Sequence, residues 1–276
     1  MLEQLKYKNH LNEVFEFGKD GIFVNTNELH DYEWTVTSKN KRITALDYAV
    51  SKRKLPLIII CKTEEQGIAA RNRLMEICEK DVLAMLHGQI IIGDYYFKCF
   101  VTKSQKKNYL ISSRMMEVTL TLTSDFPYWV KETTNIFREL GAETGGGGQN
   151  LDYPFDYAFD YFPDVGSKAL INQHFTDSNF RMVVYGPCSD PAIYVAGHLY
   201  QVNCNVAAGE YLTIDSVTKK IFLTANDGTI TNKFNLRNKE SYIFLKIPSG
   251  SSAVTWSGNF GVDIILLEER SEPKWT

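Results

Sequence analysis

The sequence has no long hydrophobic run and no excess of charge of either sign. Its longest apolar stretch runs from Leu55 to Cys61 and contains Pro56, far short of the roughly 18–20 residues that span a membrane. The amino end, MLEQLKYKNH, lacks an apolar core and a cleavage site, so we expect no secretory signal. Lys and Arg number 30 against 33 Asp and Glu, a formal net charge of -3, so we expect no specific binding to nucleic acid or membrane.

The sequence also lacks a disulfide framework and any Cys-x-x-Cys spacing. The cysteine count is odd, whereas a disulfide-stapled domain carries an even set in a small secreted chain. We therefore interpret the thiols as reduced, small apolar residues, and we expect synthesis in a cytoplasm. The five positions are Cys61, Cys78, Cys99, Cys188 and Cys204.

The length and composition predict two folded domains joined by a hinge. With 276 residues and 44% hydrophobic residues, the chain is long for one ordinary domain and has enough apolar residues for packed cores. Gly145 to Gly148 form an uninterrupted glycine run, which cannot hold a helix or strand. A phosphate-binding loop is excluded there, because no GK[ST] follows the run.

The first half of the chain is predicted to be α+β. Residues 55–62 are typical of a buried strand. Thr63, followed by Gln66, predicts a capped helix that ends near Gly88. We expect an apolar helix face formed by Ile68, Met75, Cys78, Val82 and Met85.

Two β segments of the first half have clear patterns. Residues 89–101 predict a hairpin that turns at Gly93-Asp94. Residues 116–123 alternate apolar side chains with Glu and Thr, as expected of a strand with one buried face. Together with the helix, these segments predict an antiparallel sheet domain.

The second half is predicted to be an antiparallel sandwich or jelly roll, after an aromatic tract at 153–162 that we interpret as an extended segment. Short β-rich runs separated by Gly, Pro, Asn and Asp turns support this fold. The predicted strands are Arg181–Tyr185, Ala192–Val195, Leu199–Val206, Tyr211–Ile214, Lys220–Thr224, Tyr242–Lys246 and Val262–Leu267.

No catalytic, metal or cofactor site is predicted. The sequence has no Gly-x-Ser-x-Gly elbow and no His-Glu-x-x-His, and its five histidines are scattered. Paired carboxylates leave a glycosidase pair open. Trp256 and Trp275 could stack on sugar rings, but we favour core or interface packing for them. The residues alone indicate a two-domain, β-rich, non-catalytic interaction protein.

Several stretches resemble distal tail proteins of bacteriophages with long, non-contractile tails, the siphovirus tail-component family. The segment 118–128, VTLTLTSDFPY, resembles the strand and stop that close the first domain of that family, except that Phe126 intervenes between Asp125 and Pro127. The aromatic tract 153–157 resembles the linker between its domains. Four further segments resemble, in chain order, parts of the second domain of that family: GPCSDPAI at 186–193, GEYLTID at 209–215, IPSG at 247–250 and VTW at 254–256.

The resemblance implies a fold and an assembly. The fold class would be α+β and mostly β: a belt domain at 1–144 with one main helix, a Gly-rich and aromatic linker at 145–165, and a galectin-like or jelly-roll β-sandwich at 166–276. The belt would form a homo-hexameric ring, in some cases stacked, at the distal tip of the virion's tail. The chain would be made and assembled in the host cytoplasm.

The resemblance also implies a function without catalysis or cofactor. The ring would be a hub that joins the tail tube protein to the baseplate, the tail-associated lysin or fibre and, in some phages, receptor-binding proteins, and lets DNA pass. We expect the hairpin at 89–101 and the strand at 116–123 to form the ring interface through exposed sheet edges. The alternative function is a carbohydrate-binding module for host cell-wall sugars; a cell-wall hydrolase is not predicted.

Overall fold

The computed structural model describes residues 4–19, 21–107, 114–139 and 168–275. The chain divides into two compact units. The first contains Met1–Lys131 together with Glu269–Thr276, and the second contains Glu132–Glu268. Residues 269–276, which the sequence analysis placed in the second domain, therefore lie in the first unit. The Gly-rich linker and aromatic tract fall outside the described residues, and the functional names given to the two domains stay predictions.

The first unit is mostly antiparallel sheet around one long helix. Its strands follow one another with short connections, apart from the helix between β6 and β7. The elements are β1 (Leu5–Lys8), β2 (Val14–Glu16), β3 (Ile22–Val24), β4 (Thr35–Lys39), β5 (Arg42–Asp47), β6 (Ser51–Ile60), α1 (Glu64–Ala84), β7 (Gly88–Ile92), β8 (Tyr95–Lys107), β9 (Met115–Ser124) and the start of β10 (Trp129–Phe137), which passes into the second unit after Lys131.

The long strand β8 joins two sheets of the first unit. Its first part pairs with β7, and its second part pairs with β9 after a register shift between Val101 and Lys103. One sheet runs β2–β1–β7–β8–β10, and the other runs β3–β6–β9–β8. The helix packs on β8 and β6. The core between them includes Tyr7, Phe15, Ile22, Leu55, Leu57, Ile59, Leu74, Phe97 and Trp129.

The helix begins where the sequence predicts, but it buries another face. The Thr63 side chain caps it by accepting from the Gln66 backbone N–H at 3.3 Å. It ends at Ala84, with Met85 in the left-handed region, and Gly88 begins β7 instead of stopping the helix. The predicted stripe is wrong for Ile68 and Met85, which are exposed. The buried positions are Gly67, Ala70, Leu74, Ile77, Cys78 and Asp81, so the buried face combines three small residues with two large aliphatic residues and one acid.

The second unit is an antiparallel sandwich. Two sheets enclose a single apolar core that includes Phe180, Met182, Tyr200, Trp256 and Ile264. Its elements are β11 (Lys168–Asn172), β12 (Asn179–Tyr185), β13 (Cys188–Ser189), β14 (Ala192–Val195), β15 (His198–Gln201), β16 (Asn205–Val206), β17 (Tyr211–Asp215), β18 (Lys220–Thr224), β19 (Ile230–Asn232), the 3₁₀ turn Phe234–Leu236, β20 (Gly250–Trp256) and β21 (Val262–Arg270). One sheet is ordered β11–β20–β14–β15, and the other contains β19–β18–β17–β12–β21.

Two strands predicted in this unit are wrong. The predicted strand Leu199–Val206 is divided into β15 and β16, although Val202, Cys204 and Val206 are all buried. Residues 242–246 form a turn, in which the Leu245 N–H donates to the Tyr242 carbonyl at 3.0 Å, and Ile243 and Phe244 enter the core from it. Apolar alternation predicted burial correctly in residues 199–206, whereas in residues 242–246 two consecutive residues are buried; burial does not require ladder hydrogen bonds. The fold class, α+β and mostly β, is confirmed.

Candidate functional site

The strands predicted to form the ring interface are not free edges. The strand β9 lies between β6 and β8 and is paired along both sides. In the predicted hairpin, β7 pairs with β1 as well as with β8. The hairpin and the strand themselves form where predicted, but the prediction that they offer exposed edges is wrong. Among the described strands of the first unit, the edges are β2, β3 and the hairpin formed by β4 and β5.

The hairpin of β4 and β5, which we call the arm, is the strongest candidate for an interaction surface. Its two strands pair only with each other, and most of its residues are exposed. Opposite residues in an antiparallel ladder share a face, so the pairs Val36 with Leu46 and Ser38 with Ile43 place three aliphatic side chains on one side. Val36, Ile43 and Leu46 are 55%, 65% and 51% exposed.

Contact with another apolar surface would stabilise this aliphatic stripe, because the contact removes it from water. Burying a large aliphatic side chain contributes about 1.5–3 kcal/mol, and grouped exposed apolar residues mark interaction sites more often than single ones do. The arm alone cannot bury this stripe, because a two-stranded ribbon has no third layer. The sequence analysis missed the arm. A signal was present in the three consecutive β-branched residues 35–37 and in the Asn40-Lys41 turn.

An aromatic stack anchors the base of the arm. The Trp34 and Tyr48 rings lie 4.1 Å apart, and Tyr128 meets Tyr48 edge-on at 4.9 Å. The Tyr48 hydroxyl donates to the Ser271 hydroxyl. Partial burial raises the pKa of Tyr48 and of Tyr128. The root of the arm is therefore held in place, while its distal part is not packed against the unit.

Below the root lies a cleft with a buried arginine in its floor. The cleft has a volume of about 310 Å³. The Arg53 guanidinium donates to the Leu29 carbonyl and sits 4.4 Å from the centre of the Phe97 ring, and burial lowers the pKa of Arg53. The Trp129 indole N–H donates to the same carbonyl at 3.1 Å. The lining includes Glu28, Asp31, Tyr32, Glu33, Thr35, Tyr48, Lys52 and Arg53.

A buried cluster in the first unit has the composition of a catalytic triad but the geometry of a structural tie. Asp81 in α1 is fully buried, accepts from the Tyr7 hydroxyl at 2.5 Å and lies 2.6 Å from Nδ1 of His10. Burial first, and then neighbouring groups that include Asp81, raise the pKa of Tyr7. A Cβ added at Gly88 would lie 2.2 Å from both the Asp81 carboxylate and the Tyr7 hydroxyl, so no substrate atom fits there.

Two further features, a metal site and a membrane-spanning helix, are both missing from the described residues. Within the described ranges, no group of three or more His, Cys, Asp or Glu side chains could hold a metal ion. No helix in that part of the chain is both long and apolar enough to cross a membrane. The five cysteines form no disulfide within the described ranges, and all except Cys61 are buried. Burial raises the pKa of Cys78 to about 12 and of Cys188 to about 11.

The tryptophans considered for sugar stacking occupy different environments. Trp256 is only 2% exposed, and its indole N–H donates to the Phe260 carbonyl at 3.0 Å, so the favoured interpretation as a core residue is correct. Trp275 is 70% exposed, but its ring stacks on His30 at 4.1 Å. The carbohydrate-binding alternative thus loses Trp256, the residue that it most depended on.

Comparison with solved structures finds bacteriophage proteins. The chain is similar to the SPP1 Dit (gp 19.1) protein, described as a paradigm of the hub adsorption apparatus in phages that infect Gram-positive bacteria, with 10% identity and a TM-score of 0.59 over 98% of this chain and 100% of that one. It is similar to a chain of the phage P2 baseplate in its activated conformation with Ca, with 12% identity and a TM-score of 0.64 over 99% and 100% of the two chains.

The same baseplate with Sr gives 12% identity and a TM-score of 0.62, again over 99% and 100% of the two chains. No protein-family profile matches the sequence, and no curated protein does. At these identities the likeness is one of fold. It agrees with the resemblance to distal tail proteins that the sequence motifs carry, and this chain therefore has the fold of phage tail hub and baseplate components.

Proposed function

We propose that this protein is a structural hub at the distal end of a phage tail. The observation that carries the proposal is the shared fold over almost the whole chain with the SPP1 hub protein and with the P2 baseplate chains. A fold can host unrelated functions, but a likeness that includes both units and is matched by the order of the sequence motifs favours the same role.

The hub would work as a ring of six copies that encloses a passage for DNA. A closed ring needs a heterologous interface, in which two different patches of one chain match. The arm supports such an interface, because its aliphatic stripe is exposed and its strands pair only with each other. The formal charge of -3 suits a passage that does not retain DNA, because phosphates are held by an excess of Lys and Arg.

The proposed partners are other tail components. One side of the ring would contact the tail tube protein, and the other would contact the baseplate, the tail-associated lysin or fibre, and in some phages a receptor-binding protein. The protein would reside in the virion and be assembled in the host cytoplasm. We propose no enzymatic activity, because the buried cluster around Asp81 described above is closed by Tyr7 and Gly88.

Assembly of the purified protein tests this function. We expect light scattering coupled to size-exclusion chromatography to give a six-copy species, and negative-stain images to show rings with a central hole. The triple variant Val36→Thr/Ile43→Thr/Leu46→Thr should shift the protein towards monomers, because it removes the stripe and keeps β-branched side chains in place of strand residues. Ile171→Thr/Ile230→Thr is the matched control, since both residues are exposed strand residues of the second unit.

The proposal fails if the wild type stays monomeric at every concentration tested and neither binds nor co-assembles with tail tube protein. Turnover of cell-wall polysaccharide by the pure protein would contradict the non-enzymatic role.

A further inference from the structure

The arm has its acidic and basic residues at opposite ends. Between residues 31 and 47 the acids are Asp31, Glu33 and Asp47, and the bases are Lys39, Lys41 and Arg42. Thr35 pairs with Asp47 at one end of the ladder, and Lys39 pairs with Arg42 at the other. The strand Thr35–Lys39 has five residues, which separates its first and last residues by roughly 13 Å at about 3.3 Å per step.

The basic end is a tight turn with an unusual residue. Asn40 and Lys41 have φ angles of 52° and 61°, as a two-residue type I′ turn requires. Glycine is favoured at the second position, because the left-handed region costs a lysine conformational energy. A strained non-glycine residue at an exposed tip points to a use for its side chain. The three basic side chains of the tip are exposed and form no ion pair with any described residue.

The root of the arm has the opposite character. Glu28, Asp31 and Glu33 line the cleft there, against the two bases Lys52 and Arg53. The Arg53 guanidinium donates a hydrogen bond to the Leu29 carbonyl and lies over the Phe97 ring in the floor of the cleft. Glu28 lies 3.6 Å from Lys54. The carboxylates of Asp31 and Glu33 are exposed and make no hydrogen bond or ion pair with another described side chain.

We propose that the basic turn of the arm in one copy binds the acidic root of the same arm in a second copy. A paired ribbon cannot bend its own tip back onto its root over four or five residues, so a contact between tip and root is made only between two chains. Tip and root are different patches, and their contact is heterologous, as a closed ring requires. The inference rests on the proposed self-assembly and names the contact that drives it.

Charge reversal at each end tests the contact. Lys39→Glu/Lys41→Glu/Arg42→Glu reverses the tip, and Glu33→Lys/Asp47→Lys reverses the root without disturbing Asp31, which lies close to Arg53. The matched control is Lys219→Glu/Lys220→Glu/Lys239→Glu, which makes the same change in net charge on exposed residues of the second unit. Circular dichroism and thermal melting establish that each variant is folded.

We expect either reversal alone to raise the concentration for half-assembly by about tenfold or more, because like charges brought together are costly. Mixing the tip variant with the root variant, or combining all five changes in one chain, should restore assembly, since each reversed side chain of the tip is then again opposite reversed side chains of the root with the other sign of charge. The wild-type assembly should weaken at about 1 M salt, where exposed charges are screened within a few ångströms.

The outcomes separate this inference from the function on which it rests. If the wild type forms rings and the tip variant forms them equally well, the inference is wrong while the hub function stands. If folded tip and root variants both fail to assemble but neither the mixture nor the five-change chain recovers, the inference is also wrong. If the wild type never self-associates, the inference is wrong, and the hub function is overturned with it when the protein also neither binds nor co-assembles with tail tube protein.

Discussion

At the scale of single residues, Asp81 does the work of holding the helix to the first strand. Its carboxylate accepts hydrogen bonds from the Tyr7 hydroxyl and the His10 backbone N–H, and it lies within hydrogen-bond distance of the His10 ring. An acidic residue within a helix is ordinarily exposed, so periodicity alone would assign Asp81 to the solvent-exposed face of the helix. Gly88 has a related role, because only a residue without a Cβ fits against Asp81 and Tyr7. The sequence shows the glycine, but it does not show which side chains lie next to it in the folded chain.

We predict that Asp81→Ala lowers the free energy of unfolding by about 3 kcal/mol, because it leaves the buried partners of the carboxylate unsatisfied. The matched variant Tyr7→Phe, which removes one hydrogen bond and keeps the ring, should cost about 1 kcal/mol. Urea unfolding followed by circular dichroism measures both. Equal losses for the two variants would contradict the central role of the carboxylate.

The thiols provide a second test at this scale. We predict that iodoacetamide at pH 8 alkylates Cys61 in the folded protein well before Cys78. Burial raises the pKa of Cys78 to about 12, so about one thiol in ten thousand is ionised at pH 8, and that fraction rises tenfold per pH unit towards 12. Peptide mapping by mass spectrometry identifies the labelled site.

The variant Cys61→Ser is the control for this labelling and should remove the early reaction. Labelling of Cys78 in folded protein at the rate of Cys61 would show that the helix does not shield it. In urea, all five thiols should react.

At the scale of elements, the start of the helix depends on one side chain. We predict that Thr63→Ala lowers the free energy of unfolding by about 1 kcal/mol, because the Gln66 N–H loses its acceptor at the helix start. Thr63→Ser keeps the hydroxyl and should lie close to the wild type. Thermal and urea unfolding compare the three proteins, and a loss in the serine variant equal to that in alanine would exclude capping as the cause.

Elements whose local sequence pattern allows only one strand register could be predicted from the sequence, and elements whose conformation depends on tertiary packing could not. The alternation in residues 116–123 and the Gly93-Asp94 turn specified β9 and the β7–β8 hairpin. The helix face could not be chosen, because Ile68 and Met85 are as apolar as Leu74 and Ile77, and only the space against β8 decides among them. Residues 242–246 have strand composition, yet they turn because Ile243, Phe244 and Ile247 all enter the core.

At the scale of the whole molecule, the first unit is discontinuous in sequence. Its last residues return to it after the second unit is complete. There, Ser271 bonds Tyr48 and Trp275 stacks on His30. Nothing in the local pattern of residues 269–276 predicts this return, since the contacts join positions more than 200 residues apart. The sequence motifs pointed to the right fold, but the free edges of the first unit became visible only once strand pairing was known.

We predict that a chain ending at Arg270 has a less stable first unit and an unchanged second unit. Loss of the ring stack and of the hydroxyl bond should lower the melting temperature of the first unit by about 5 °C, near the shift that 1 kcal/mol gives a domain of this size. Hydrogen exchange with mass spectrometry follows the two units separately. Faster exchange confined to β12, β17 and β21 would contradict the assignment of this tail.

The crossing strands β10 and β21 bring the entry and exit of the second unit side by side: the Thr133 hydroxyl donates to the Glu268 carboxylate at 3.3 Å. A unit whose two ends meet can be excised or exchanged without lengthening the chain that remains. A different module can therefore replace the second unit without a change in the chain of the first unit. Deleting 134–267 and closing the gap with a short Gly-Ser loop should leave a foldable remainder.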